Sequence, residues 1–246
     1  MSVTGAILGF ALSSLISYLA YQKKSLTFDG ALGAVLVGTI IYGFAGGFAY
    51  FVLMVFFFSS SLMGVFDEDK APSQRTLIQV LANASLASLM ALLYGIYQHE
   101  AYLALMIASI GISAADTWAS EVGKRSTSRP FHIFKLEPMD KGLSGAVSMR
   151  GVIASLAAAL VFAFLASIVI QSFFLVFMVG VISFSGSIID SMLGTVQVKY
   201  MDPITQTLTE QKSPTHPYHS GIKYLGNNGV NFLSNMASLV VMIFII

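Results

Sequence analysis

Seven apolar stretches, each long enough to cross a lipid bilayer, take up most of this sequence and leave it no route to a water-soluble fold. A spanning helix needs about 20 predominantly apolar residues, and residues 3–21, 30–61, 76–97, 101–120, 147–170, 173–196 and 229–246 supply them. Only 10% of the chain is charged, 56% is hydrophobic and the mean hydropathy is +0.78. A soluble chain carries about 25% charged residues to meet water. No basic segment precedes the first stretch, so it is read as a retained span and not as a cleaved signal. The expected fold is all-α: a polytopic membrane helix bundle of seven or eight membrane segments, forming one domain over residues 1–246.

The second stretch is too long to be one helix. Unbroken, it would extend roughly 48 Å at 1.5 Å per residue, against a hydrocarbon core of about 30 Å. Gly43, Gly46 and Gly47 lie near its middle, where glycine permits a turn. Two short helices are therefore expected, either tilted spans or a re-entrant pair, returning the chain to the face it left. With that break all 13 Lys and Arg residues fall on one side, the cytoplasmic side by the positive-inside rule. They are Lys23, Lys24, Lys70 and Arg75, then a group from Lys124 to Arg150, then Lys199, Lys212 and Lys223. The long polar segments 121–146 and 197–228 share that side. The termini are expected on the outer side of a cell membrane, which is left with short turns at 98–100 and 171–172. The polar, proline-containing loop 67–73 is expected to be mobile.

Several function classes are excluded. A net charge of +1 gives no electrostatic footprint for nucleic acid. With no cysteine there is no disulfide, thiolate metal site or cysteine nucleophile. There is no P-loop signature, and His216 and His219 in HPYH are not counted as metal ligands. The 12 methionines are read as packing or lipid-facing residues, and Trp118 as an interfacial anchor.

Charged residues inside spans are costly and mark functional sites. Asp116 and Glu121 in AADTWASEVG and Asp190 in GSIIDSMLG are the three acids concerned, and both aspartates sit in the cytoplasmic third of their helices. Ser183, Gly186, Ser187, Asp190, Gly194 and Gln197 fall on one helical stripe, with Ser191 beside it; Asp116 shares a face with Ser120. One such aspartate could be a buried acid in a small-residue packing seam; two at matching depths favour a site. Other polar residues reach the same depth: Thr27 and Asp29 in SLTFDG, Ser60 and Ser61, Gln79 and Asn83 in LIQVLANAS, and Asn227, Asn228 and Asn231 in GNNGVN. Each alone has a plain reading as a helix cap or interhelical hydrogen bond. Together with the carboxylates they form an oxygen-rich set suited to Mg²⁺, which characteristically shares one or two carboxylates with substrate phosphates. The segment KGLSGAVSMRG, with Lys141, Ser144 and Arg150, has the glycines and cations of a phosphate cradle, and reads equally as a plain entry to the helix that follows it.

Taken in order, SLTFDGALGA, FFFSSS, QVLANA, AADTWASEVG, KGLSGAVS, GSIIDSMLG with Gln197, and GNNGVN resemble one integral-membrane family, that of animal transmembrane protein 19 and the chloroplast phytyl-phosphate kinase. The resemblance covers nearly the whole chain. Ala84 stands where the family usually has Gly, and Leu143 and Ala146 replace a Thr and a Gly of its loop. The resemblance implies transfer of a phosphoryl group from a nucleoside triphosphate, CTP or another, to an isoprenyl monophosphate. Asp116, Glu121 and Asp190 would then bind Mg²⁺, Lys141 and Arg150 would stabilise transferring charge, and the remaining polar residues would hold phosphates or nucleotide. The lipid tail would lie against faces such as 43–51. The rival classes are an ion-coupled transporter or lipid flippase using the same acids, and a prenol kinase or lipid cytidylyltransferase.

Overall fold

A computed structural model describes residues 3–65 and 74–246 of the chain. The helices are α1 (Val3–Gln22), α2 (Phe28–Val65), α3 (Leu77–Tyr97), α4 (Glu100–Lys124), α5 (Met149–Val169), α6 (Phe173–Gly194) and α7 (Asn227–Ile245). All seven are long and apolar enough to cross a membrane, and the protein is a polytopic helical membrane protein. The loop 67–73, with Lys70, lies outside the described residues.

The break expected in the long second stretch is at Gly46, whose φ of 84° lies in the left-handed region that glycine alone adopts without strain. The chain folds back there. Tyr42 and Tyr50 meet edge-to-face with centroids 5.6 Å apart, where a straight helix would put them about 12 Å apart. Arg75, next to the start of α2 through its backbone pairing with Thr27, lies 5.9 Å above the Phe56 ring in the second half. Each half of α2 is roughly 27 Å long at 1.5 Å per residue, enough to cross.

Helix α4 is the axis of the bundle. It packs against α2, α3, α5, α6 and α7, and every residue from Leu103 to Ala115 is buried. Small residues let the neighbours approach: a side chain at Gly111 would run into Ser183 of α6, and one at Gly186 of α6 into Ile112. Large apolar side chains such as Phe10, Leu15, Phe164 and Phe177 stand exposed on the outside, as lipid-facing positions do.

Local capping sets the helix ends. Ser148 and Ser172 accept the backbone N–H of Gly151 and Leu175 at the starts of α5 and α6. Gln98, in the left-handed conformation at φ 53°, closes α3 before His99 caps α4. The polar segments carry small antiparallel sheets. Strand β1 (Phe131–His132) pairs with β2 (Ala146–Val147), with Phe131 opposite Val147. Strand β3 (Lys199–Met201) lies between β4 (Leu208–Thr209) and β5 (Tyr218–Ser220). Both sheets stand at the end of the bundle where α4 and α6 finish and α5 begins.

Candidate functional site

Helices α4 and α6 bring Asp116 and Asp190 together. Their carboxyls lie within hydrogen-bonding reach of each other; Asp190 is buried and Asp116 partly exposed. Two carboxyl groups this close repel unless a proton or a cation stands between them. Ser234 of α7 donates to Asp190 Oδ2 at 2.7 Å and also to the Asn231 carbonyl at 3.1 Å. The Asn231 amide reaches Asn83 Oδ1 of α3 at 3.3 Å. Asn83 in turn donates to the Gln79 carbonyl and its own carbonyl accepts from Ser113 of α4. Four helices thus meet in one polar seam about the acid pair.

The seam continues inward. Asn235 donates to the Ser109 carbonyl at 2.9 Å and to Ser113 Oγ at 3.3 Å, and accepts from Ser109 Oγ at 2.9 Å. Ser187, on the stripe with Asp190, accepts from Ser155 of α5 at 3.0 Å. Ser109, Ser113, Ser155, Ser234 and Asn235 were not singled out from the sequence. The signal existed: Ser113 precedes Asp116 and Thr117 by one helical turn, and Ser234 and Asn235 follow Asn231 at i+3 and i+4.

Other expected members stand elsewhere. Glu121 does not join the aspartates; it pairs with Lys124 at 3.0 Å and lies 3.9 Å from Arg125. One and a half turns separate it from Asp116, and the cations at i+3 and i+4 claim it. Among the described residues no three acids or histidines gather closely enough to hold a metal ion. Lys141 is also withdrawn from the acid pair, donating to the Ser126 carbonyl at 2.6 Å. Thr27 and Asp29 act as caps. Thr27 Oγ1 accepts from Gly30 N–H, and Asp29 Oδ2 accepts from Leu77 N–H at 3.0 Å, stapling the starts of α2 and α3. Gln79 reaches back to the Thr76 N–H at 2.9 Å.

Arg150, Ser120 and Asn227 are exposed, while Asn228, Ser61 and Ser191 are partly exposed. Ser60 is buried with its hydroxyl unpartnered among the described residues. Trp118 donates to Ser59 Oγ at 3.2 Å, tying α4 to the end of α2.

The glycine-rich loop is a cradle, but its anion comes from the chain itself. Glu210 accepts the Ser144 N–H at 2.6 Å, the Ser144 hydroxyl at 2.9 Å and Gln197 Nε2 at 2.7 Å. Nothing in sequence spacing links 144, 197 and 210. Beside it, Lys199 is buried and donates to the Thr195 carbonyl at 3.0 Å. Burial pushes its ammonium below the ordinary value, and the Glu210 charge opposes that shift.

The donor set around the aspartates fits a hard divalent cation. It is all oxygen, its two carboxyls face each other, and Asn231 Oδ1 is buried without a hydrogen-bond partner among the described residues. Asp116 and Asp190 would hold the ion, leaving the rest of its coordination to water or substrate phosphate.

Apolar spans around a close pair of acids, one buried and one partly exposed, define a multi-pass membrane protein with a polar intramembrane centre. Residues 11–239 match the family model described as Integral membrane protein DUF92, and the chain belongs to that family. Protein PGR of Arabidopsis thaliana is 33% identical, with 93% of this chain and 91% of that protein covered. An uncharacterized membrane protein of Synechocystis sp. is 32% identical over 76% of this chain and 73% of its own. One from Methanocaldococcus jannaschii is 27% identical over 74% and 79%. No solved structure matches the chain.

Proposed function

We propose that the protein is a membrane-embedded isoprenyl-monophosphate kinase working at the cytoplasmic side of a cell membrane. The observation that carries this reading is the contact between Asp116 and Asp190 at the polar end of the bundle, with Asn83, Asn231 and Ser234 built around it. An isoprenyl phosphate matches such a site. Its tail dissolves in lipid, and its head stays at the interface where these side chains lie.

A phosphate oxygen of the acceptor attacks the γ-phosphorus of a nucleoside triphosphate. The bond from that phosphorus to the β-phosphate oxygen breaks, giving the isoprenyl diphosphate and the nucleoside diphosphate. The acceptor is already anionic near neutral pH, so no strong base is needed, and positioning with charge neutralisation does the chemistry. A bound Mg²⁺ would supply that neutralisation. Asp116 and Asp190 would hold the ion, Ser234 fixes the orientation of Asp190, and the Asn83–Asn231 amide pair would orient phosphate oxygens. Arg150, exposed at the start of α5, is free to meet the nucleotide phosphates.

The test uses purified protein in lipid nanodiscs with Mg²⁺ and γ-labelled nucleoside triphosphates. A prenyl monophosphate, the matching prenol and no lipid are offered in parallel. Label is expected in the prenyl diphosphate only, and Asp116→Asn and Asp190→Asn each abolish it. Label transferred to the prenol instead, or full activity in both variants, would overturn the proposal.

A further inference from the structure

A cavity opens between α1, both halves of α2 and the start of α3, on the same end of the bundle as the acid pair. Val37, Tyr50, Leu53 and Phe57 form its apolar wall, and Ser13 and Ser17 of α1 line it as well. Its innermost residue on α1, Ser13, stands nine residues before the helix end at Gln22, roughly 14 Å along the helix at 1.5 Å per residue. The expected tail surface, 43–51, forms the tip of the hairpin instead and contributes only Tyr50 to this wall.

Arg75 lines the cavity with its guanidinium over Phe56. That group donates no hydrogen bond to any described residue, and the negative charge that supports it is Glu121, which Lys124 and Arg125 already engage. Burial pushes Arg75 below its ordinary value. A partly buried cation without a hydrogen-bonded anion among the described residues is unfavourable, and a guanidinium fork suits a phosphate. Asn83 lines the same cavity and is bonded to Asn231, which leads through Ser234 to Asp190. The cavity and the acid pair therefore share a wall.

We infer that this cavity seats the single isoprenoid chain of a prenyl monophosphate, with Arg75 holding its phosphate head beside Asn83. The choice of a phosphate head rests on the kinase reading; the cavity and its cation, without a hydrogen-bonded anion among the described residues, do not. Phosphatidate carries the same head on two acyl chains, so both sources are compared.

Binding is measured by native mass spectrometry and thermal shift on the full chain, without Mg²⁺ or nucleotide. The probes are geranylgeranyl monophosphate, geranylgeraniol, phosphatidate and inorganic phosphate. The backbone of Arg75 is held by Ser25 and Thr27 independently of its side chain, so Arg75→Gln should fold. It is expected to weaken the prenyl monophosphate by about tenfold or more, the equivalent of one charge-assisted hydrogen bond, and to leave the prenol unchanged. Ala34→Phe, which fills the cavity from α2, should weaken both prenyl ligands. Unchanged prenyl-phosphate binding in Arg75→Gln, or phosphatidate binding as tightly, would overturn the inference. Asp116→Asn separates the two proposals. Binding kept with turnover lost supports both, whereas wild-type protein that binds the lipid but never phosphorylates it sinks the kinase reading alone.

Discussion

A methyl group added at Gly186 would lie 2.6 Å from Ile112 Cγ1, 2.8 Å from Ile112 Cγ2 and 3.0 Å from Ser238 Oγ. Carbon atoms rest about 3.5–4.0 Å apart, so α4 and α6 must separate by about 1 Å, because a β-branched side chain in a helix is held to one strongly preferred rotamer. Gly186 is one turn before Asp190, and Ile112 is one turn before Asp116. The displacement is delivered to the acid pair. Overpacking of this size destabilises by about 1–3 kcal/mol, and a misplacement of about 1 Å at a reacting centre lowers turnover about 10²-fold, equal to about 2.7 kcal/mol of barrier. The assay is a double-mutant cycle on prenyl-phosphate turnover and thermal unfolding, with Gly186→Ala, Ile112→Ala and the pair. Ile112→Ala alone loses packing, by about 2–5 kcal/mol, but leaves the helices close. Combined with Gly186→Ala it removes the collision, so the pair should recover turnover over Gly186→Ala, with a coupling energy of about 1–2 kcal/mol. Wild-type turnover in Gly186→Ala, or no recovery in the pair, would refute the reasoning that this close approach sets the site.

Two further outcomes follow from the ends of the bundle. Glu210→Gln leaves one acceptor for three donors from Ser144 and Gln197; it should destabilise the loops by about 1–3 kcal/mol, speed amide exchange of Ser144 in hydrogen-exchange mass spectrometry, and lower the Lys199 ammonium further. The chain has no cysteine, which makes single-cysteine labelling clean: Gln22→Cys and Gln211→Cys should react with an impermeant maleimide only from the cytoplasm, and Gln98→Cys only from outside. Outside labelling at position 22 would contradict the orientation.

Much of the architecture was legible because the bilayer imposes it. Apolar length gives the spans, and the glycine cluster within 30–61 marked the turn that Gly46 makes. The acid pair was legible for the same reason: an aspartate in hydrocarbon needs a partner, and each of two helices carried one at matching depth. Glu121 was drawn into that set by proximity in sequence, although its own i+3 and i+4 cations are the stronger local claim. Lys141 and Ser144 show the limit of a glycine-rich motif. Their partners, the Ser126 carbonyl and Glu210, are brought in by loop folding that no periodicity encodes. Arg75 counted in the sequence only as a positive charge beside a membrane segment, and its place over Phe56 depends on the α2 hairpin closing.

The central claim is that Asp116 and Asp190 jointly bind a divalent ion. Mn²⁺ binding followed by electron paramagnetic resonance on the purified protein tests it without any turnover. Wild-type protein and Glu121→Gln should bind Mn²⁺ alike and release it to excess Mg²⁺, while Asp116→Asn and Asp190→Asn should each lose the bound signal. Equal Mn²⁺ binding in the two aspartate variants and the wild type would contradict the account.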